Sequence, residues 1–273
     1  ADMTIFKNKK SIIHYFPIYG CISTGLIYTT VGVIALLSFF KVRSGGADES
    51  SMLALISDYV VGKIFIWVIL TGTVCYISWR FYEAITDPYE YGRQMSGIVK
   101  RISICLSTVA DVMIAYTAVR VLLGAGQIML DGRPKEEQET IASLLQQSWG
   151  NEIVVFIGLV IIIAAITQLL YGVTKGYQER INIDRFSLTV RRVTHALAWA
   201  GYIARGIILG IIGFFLAKAG ISESAEEVVN TDKAFDFIGD HVGHLYFILV
   251  ALGTICYGIF MFILGVAYDT DKD

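Results

Sequence analysis

The run from Gly201 to Gly220 is apolar except for Arg205, its fifth residue, and Lys218 close to its end. A helix of about 20 residues rises about 30 Å, the hydrocarbon thickness of a bilayer. The run reads as a membrane span, and Arg205 sits where a charge costs at least about 2.5 to 3.5 kcal/mol. A guanidinium at that depth requires a partner. The rest of the chain has the composition to build a bundle around it: of 273 residues 55% are hydrophobic and three are proline, and the mean hydropathy is +0.61. Such a chain is too apolar for one soluble core and reads as a polytopic membrane protein. A formal net charge of -2 gives no case for nucleic acid as a partner. Cys21, Cys75, Cys105 and Cys256 all fall inside apolar runs without Cys-x-x-Cys spacing. They read as small core residues, not as a disulfide or metal set.

Taken in order, the pattern predicts six spans. No Asp, Glu, Lys or Arg occurs between Lys10 and Lys41, and Pro17 marks the entry of span one, which runs to about Phe40. Span two covers Lys63 to about Ala84, with Lys63 and Arg80 expected to snorkel at its ends and Asp87-Pro88 to stop it. Span three, Ile102 to Leu123, carries Asp111 in its middle; spans four, five and six cover Ile153–Thr174, Val193–Leu216 and Leu245–Ala267. Each even span is preceded by a short amphipathic stretch: Ser50–Val61, Thr140–Trp149 and Asp232–His241. These are too short to cross and read as helices lying at the interface.

The pattern is a repeat. Shifting the chain by 181 residues places Gly62 on Gly243, the pentapeptide Gly72–Tyr76 on Gly253–Tyr257, and Gly20, Gly25 and Gly32 on Gly201, Gly206 and Gly213. A second, more diverged copy lies between them, giving units 17–92, 101–180 and 193–269 within a single membrane domain. Each unit holds two spans, so successive units enter the membrane in the same sense and are related by an axis along its normal. The expected fold is all-α: six transmembrane helices as three parallel two-helix repeats in a pseudo-threefold bundle. The glycine-rich odd spans are expected to form its inner ring, because small residues let backbones approach.

Basic residues set the orientation. Thirteen Lys and Arg fall on the side of the amino terminus, the 2/3 loop, the 4/5 loop and the carboxyl tail, against eight on the other, so both termini are expected in the cytoplasm. The opposite face carries three acidic loops, read either as solvated surface or as cation-attracting mouths. Within the membrane, aligning Gly25, Asp111 and Gly206 brings Thr24, Ala110 and Arg205 to one level. A salt bridge between Asp111 and Arg205 is the expected partner, either as a polar constriction on an ion or substrate path or as a structural clip. Thr24 and Gln168 are the remaining candidates along such a path. His241, His244 and Asp240 are the only weak metal candidates; two histidines without a third strong ligand leave the metal expectation at none. No phosphate loop, spaced nucleophile and base, or haem pair is present, so neither an enzyme nor a cofactor is expected.

The segments Gly201-Tyr202-Ile203-Ala204-Arg205-Gly206-Ile207 and Trp79-Arg80-Phe81-Tyr82-Glu83-Ala84-Ile85-Thr86-Asp87-Pro88 resemble the bacterial membrane-protein family catalogued as domain of unknown function 1206. The resemblance implies three tandem two-span units over nearly the whole chain and a multi-pass protein of the bacterial inner membrane; it carries no activity. The second unit departs from the pattern, with Asp111 in place of the glycine and Lys175-Gly176 where Asp-Pro would stand. The function expected is a small transport or channel-like protein with a polar centre at Asp111 and Arg205. The alternative is a non-catalytic structural or partner- or lipid-binding protein. The expected partners are the lipid bilayer and a membrane-protein subunit or a second copy of the chain.

Overall fold

Long apolar runs punctuated by polar loops leave the backbone one way to satisfy its hydrogen bonds in lipid, the α-helix, and every regular element among the described residues is helical. The computed structural model describes residues 15–40, 47, 53, 57, 59–87, 92, 94–125, 134–180 and 186–267. The long helices are α1 (Phe16–Phe39), α2 (Val60–Thr86), α3 (Met95–Arg120), α5 (Gly150–Val173), α6 (Leu188–Ile221) and α8 (His244–Val266). Shorter ones, α4 (Lys135–Leu145) and α7 (Thr231–Phe237), precede α5 and α8. The interfacial stretch expected at 50–61 lies largely outside the described residues, and the second of the three begins earlier than the sequence suggests.

Five of the long helices, α1, α2, α5, α6 and α8, are long and apolar enough to cross a membrane. Helix α3 has similar length but carries Lys100, Arg101, Asp111 and Arg120. Local chemistry sets the ends. Pro17 stands in the first turn of α1, where its missing N–H costs nothing. Asp87, left-handed at φ 53°, closes α2 and accepts a hydrogen bond from the Gly92 amide at 2.8 Å. From α3, Arg101 donates to the Ala84 and Ile85 carbonyls at 2.6 and 3.0 Å, filling acceptors that the helix end leaves open.

The helices pack chiefly on their chain neighbours: α1 on α2, α2 on α3, α5 on α6 and α6 on α8, while α8 returns to lie along α1. This corrects the expected inner ring of odd spans. Among the described residues no two of α1, α3 and α6 form a packed pair. The physical reason is in the glycines, which pack odd helices against even ones and not against each other. A methyl at Gly201 would lie 2.5 Å from the Tyr257 Cα, one at Gly158 the same distance from the Ala217 nitrogen, and one at Gly25 2.9 Å from the Gly258 carbonyl. Lipid supplies no hydrophobic drive between helices, so these seams hold by close van der Waals contact.

One end of the bundle is capped by apolar side chains. Phe235 of α7 is buried against Phe247 of α8, which stacks on Phe39 of α1 at 4.9 Å. Asn230 caps α7 by accepting from the Lys233 amide at 3.1 Å, which fixes Phe235 in place.

The seams yield a contrast. Gly158→Ala, overpacked against the α6 backbone, is expected to lose about 1 to 3 kcal/mol of stability. Gly210→Ala should be neutral, since its added methyl meets only the Ala165 Cβ at 3.8 Å. Equilibrium unfolding of both variants in mixed micelles checks this.

Candidate functional site

A guanidinium inside a membrane needs donors satisfied and charge spread, and tyrosine offers both a hydroxyl and a π face. Helices α1 and α8 supply one each. The Arg205 guanidinium lies 4.9 Å from the centroids of both the Tyr28 and the Tyr257 rings, and its Nη1 donates to the Tyr257 hydroxyl. Those two rings meet edge to face at 5.1 Å. Arg205 is 7% exposed. Each cation–π contact contributes up to about 2 kcal/mol when desolvated, and a hydrogen bond from a charged donor about 1.5 to 3. Together they match the cost of the charge at that depth.

The expected salt bridge is not what holds Arg205. Among the described residues the Asp111 carboxylate forms no ion pair with it at 4.0 Å or less. Asp111 is nonetheless 3% exposed and lies in the fields of two guanidinium groups, Arg205 and Arg80. The correction has a geometric cause. Long side chains on a helix lean toward its start, which carries the Arg205 head down to the level of Gly201, where α8 comes closest. Asp111 approaches from α3, which packs on α2 and not on α6.

Arg80 also departs from expectation. It does not snorkel to the interface; it is 8% exposed, lies over the Tyr76 ring at 5.5 Å and pairs with the fully buried Glu83 one turn on at 3.3 Å. Arg205, Asp111, Arg80 and Glu83 thus form a buried polar row with two charges of each sign, lined by Tyr28, Tyr76 and Tyr257. It runs from the middle of α6 toward the last turns of α2. The signals were present in the sequence: Arg80 and Glu83 stand three apart, and Tyr76 and Tyr257 occupy equivalent repeat positions.

The other candidates fall outside this row. Thr24 is buried at 4% exposure, but the α1 residue that meets Arg205 is Tyr28, one turn later. Gln168 is buried on α5, its Oε1 without a hydrogen-bond partner among the described residues. The pairing of Leu169 with Gly206 and Gly172 with Tyr202 puts it near the depth of Arg205. His241 donates through Nδ1 to the Phe237 carbonyl at 3.3 Å and stacks on the Phe237 ring, while His244 sits against Phe39. Among the described residues no group of three or more His, Cys, Asp or Glu is placed to hold a metal ion.

A second polar cluster closes the loop between α5 and α6. The Gln178 amide donates to His195 Nε2 at 3.2 Å, which leaves Nδ1–H to donate to the Tyr177 hydroxyl at 2.9 Å. Burial pushes the Tyr177 hydroxyl above its ordinary range. Tyr177 stacks on Tyr202, whose ring meets Tyr257 edge to face, so an aromatic file joins this loop to the Arg205 cage.

The chain resembles known sequences over most of its length. The family model described as Domain of Unknown Function (DUF1206) matches it three times, over residues 19–87, 103–175 and 200–267. The chain belongs to that family. It is 28% identical over 264 residues to "Uncharacterized protein YxxB" of Bacillus subtilis (strain 168), covering 96% of this chain and 94% of that protein. No solved structure matches it.

The cage predicts a specific cost. Tyr257→Phe keeps the ring and removes only the acceptor of Arg205, so it is expected to lose about 1.5 to 3 kcal/mol. Tyr246→Phe, on the exposed face of the same helix, should stay within about 0.5. Unfolding curves in mixed micelles measure both.

Proposed function

We propose that this member of the DUF1206 family is a small transport protein of the bacterial inner membrane that moves an ion or proton along the buried polar row. In this reading six spans, as three parallel two-helix repeats about a pseudo-threefold axis, cross the bilayer with both termini in the cytoplasm. The observation that carries it is the four buried charges of Arg205, Asp111, Arg80 and Glu83 inside an otherwise apolar bundle. Packing alone would be better served by apolar residues of similar volume, and ionisable groups at membrane depth are by default functional.

The direction of the row supports access from one side. It descends from Arg205 to the end of α2, on the side where α1 begins, which the basic residues assign to the cytoplasm. The opposite end is closed by Phe39, Phe235 and Phe247. Transport then requires α7 and its Phe235 to move. Helix α7 has seven residues and leads into a π-turn at Ile238–Val242.

A second reading has its own support. The tyrosine cage around Arg205 also suits a non-catalytic protein in which the charges fix helix register and the outer face meets lipid, a partner subunit or a second copy.

Flux separates the two. The purified full chain in liposomes is expected to pass protons or a small ion from a tested panel, and Asp111→Asn to lower that flux at least tenfold while the unfolding midpoint stays within a few degrees. No flux from the wild type across the panel, together with a large loss of stability in Asp111→Asn, would overturn transport in favour of the structural role.

A further inference from the structure

The glycine stripe of α6 is filled by α5 along most of its length, and at one place it is not. A methyl on Gly206, Gly213 or Gly220 would meet α5 at 2.7 to 2.9 Å, yet one on Gly210 would meet only the Ala165 Cβ, at 3.8 Å. That opening is the floor of a groove of about 340 Å³ between α5 and α6. Its walls are wholly apolar, Ile162, Ile166 and Leu169 on one side and Ile207 and Phe214 on the other, and Phe237 closes the top. Ile166 and Phe214 are more than half exposed, so the groove opens outward to the surrounding lipid.

Its depth and its rim identify what fills it. From Gly206 at the bottom to Lys218 above the mouth is twelve residues, about 18 Å along the helix. That is close to half the roughly 30 Å hydrocarbon core, the reach of one acyl chain from its own leaflet. The bottom adjoins Arg205, at mid-depth. At the mouth the aromatic rim carries two nitrogen groups. Lys218 lies over the Phe215 ring at 5.8 Å, Phe215 meets Phe237 at 5.2 Å, and Phe237 stacks on His241 at 4.6 Å. Lys218 is about half exposed and pairs with Glu227 at 2.9 Å, which engages part of its ammonium, a group with three donors.

We propose that the groove between α5 and α6 binds one acyl chain of a phospholipid, with the phosphate held at the rim by Lys218. The occupant follows from chemistry in sequence along the groove: the Lys218 cation at headgroup level, aromatic rings below it, and only hydrocarbon from there to the midplane. Lys218 acts as a snorkelling side chain whose stem covers Phe215 while its head stays at the interface. The site is independent of the polar row, which faces the inside of the bundle.

The test uses the full chain in detergent and phosphatidylglycerol titrated in, with bound lipid counted by native mass spectrometry. The wild type is expected to retain one phosphatidylglycerol. Gly210→Phe places a ring in the open space, and Ile166→Trp narrows the groove from the facing wall; each displaces at least two methylenes, which weakens retention about tenfold. Lys218→Gln should weaken it severalfold with the unfolding midpoint unchanged, and Leu252→Phe on the exposed face of α8 should retain lipid like the wild type. Equal retention by wild type and both groove variants would overturn the proposal. So would purification with a phosphate-free isoprenoid in the groove. Should Gly210→Phe fail to fold, Ile166→Trp alone decides.

Discussion

A buried guanidinium held between two tyrosine rings, half-way along α6, is the constraint to which the bundle conforms. Arg205 comes from α6, Tyr28 from α1 and Tyr257 from α8, so three helices must present one face each to the same point. The contact also sets their separation. Gly201 lets the α8 backbone come close enough for the Tyr257 hydroxyl to meet the arginine head, and Gly258 lets α1 come equally close on the other side. Were any of these helices rotated by one residue, about 100°, the charge would lose its partners and the full cost of burial would fall on the fold.

From that point the molecule divides in two. Toward the start of α1 the interior carries charge, with Asp111, Arg80 and Glu83 set among tyrosines and buried apolar side chains such as Trp79, Phe260 and Leu264. Toward its end the interior is apolar, sealed by Phe39, Phe247 and the Phe235 carried on α7. Both halves rest on the same seams. The glycines close α5 on α6 and α8 on both α6 and α1 by contact alone, as required where the solvent is itself hydrocarbon. Helix α3 stands apart: it joins through α2, where Arg101 ties its first turns to the α2 carbonyls.

Much of this was readable in the residues. Apolar length gave the long helices, because lipid leaves the backbone no alternative. The shift of 181 residues exposed the internal copies, which the three family matches bear out. Arg205 was legible as a buried charge because no twenty-residue apolar run explains it away. Its partner was not. Depth along a helix can be read from spacing, but the direction a side chain takes depends on which neighbour approaches, and that is set by packing. Asp111 was opposite in sign and similar in depth, yet it belongs to α3, which packs chiefly on α2. Tyr257 was in view only as part of a repeat. Arg80 was misplaced for a related reason: near a span end, snorkelling and burial look alike until Glu83 and Tyr76 are seen to turn inward.

Helix α6 outgrows the slab it crosses. Its 34 residues extend about 51 Å, well past the hydrocarbon thickness, and Ser187 caps its start by accepting from the Val190 amide. Hydrophobic length alone would let such a rod lean or slide. Here Arg191 and Arg192 near its start and Lys218 near its far end act like flanges on a pipe, a pair at one end and a single residue at the other. Arg205 stands thirteen residues from Arg192 and thirteen from Lys218, so basic residues anchored at the two interfaces would keep it half-way between them by the geometry of its own helix.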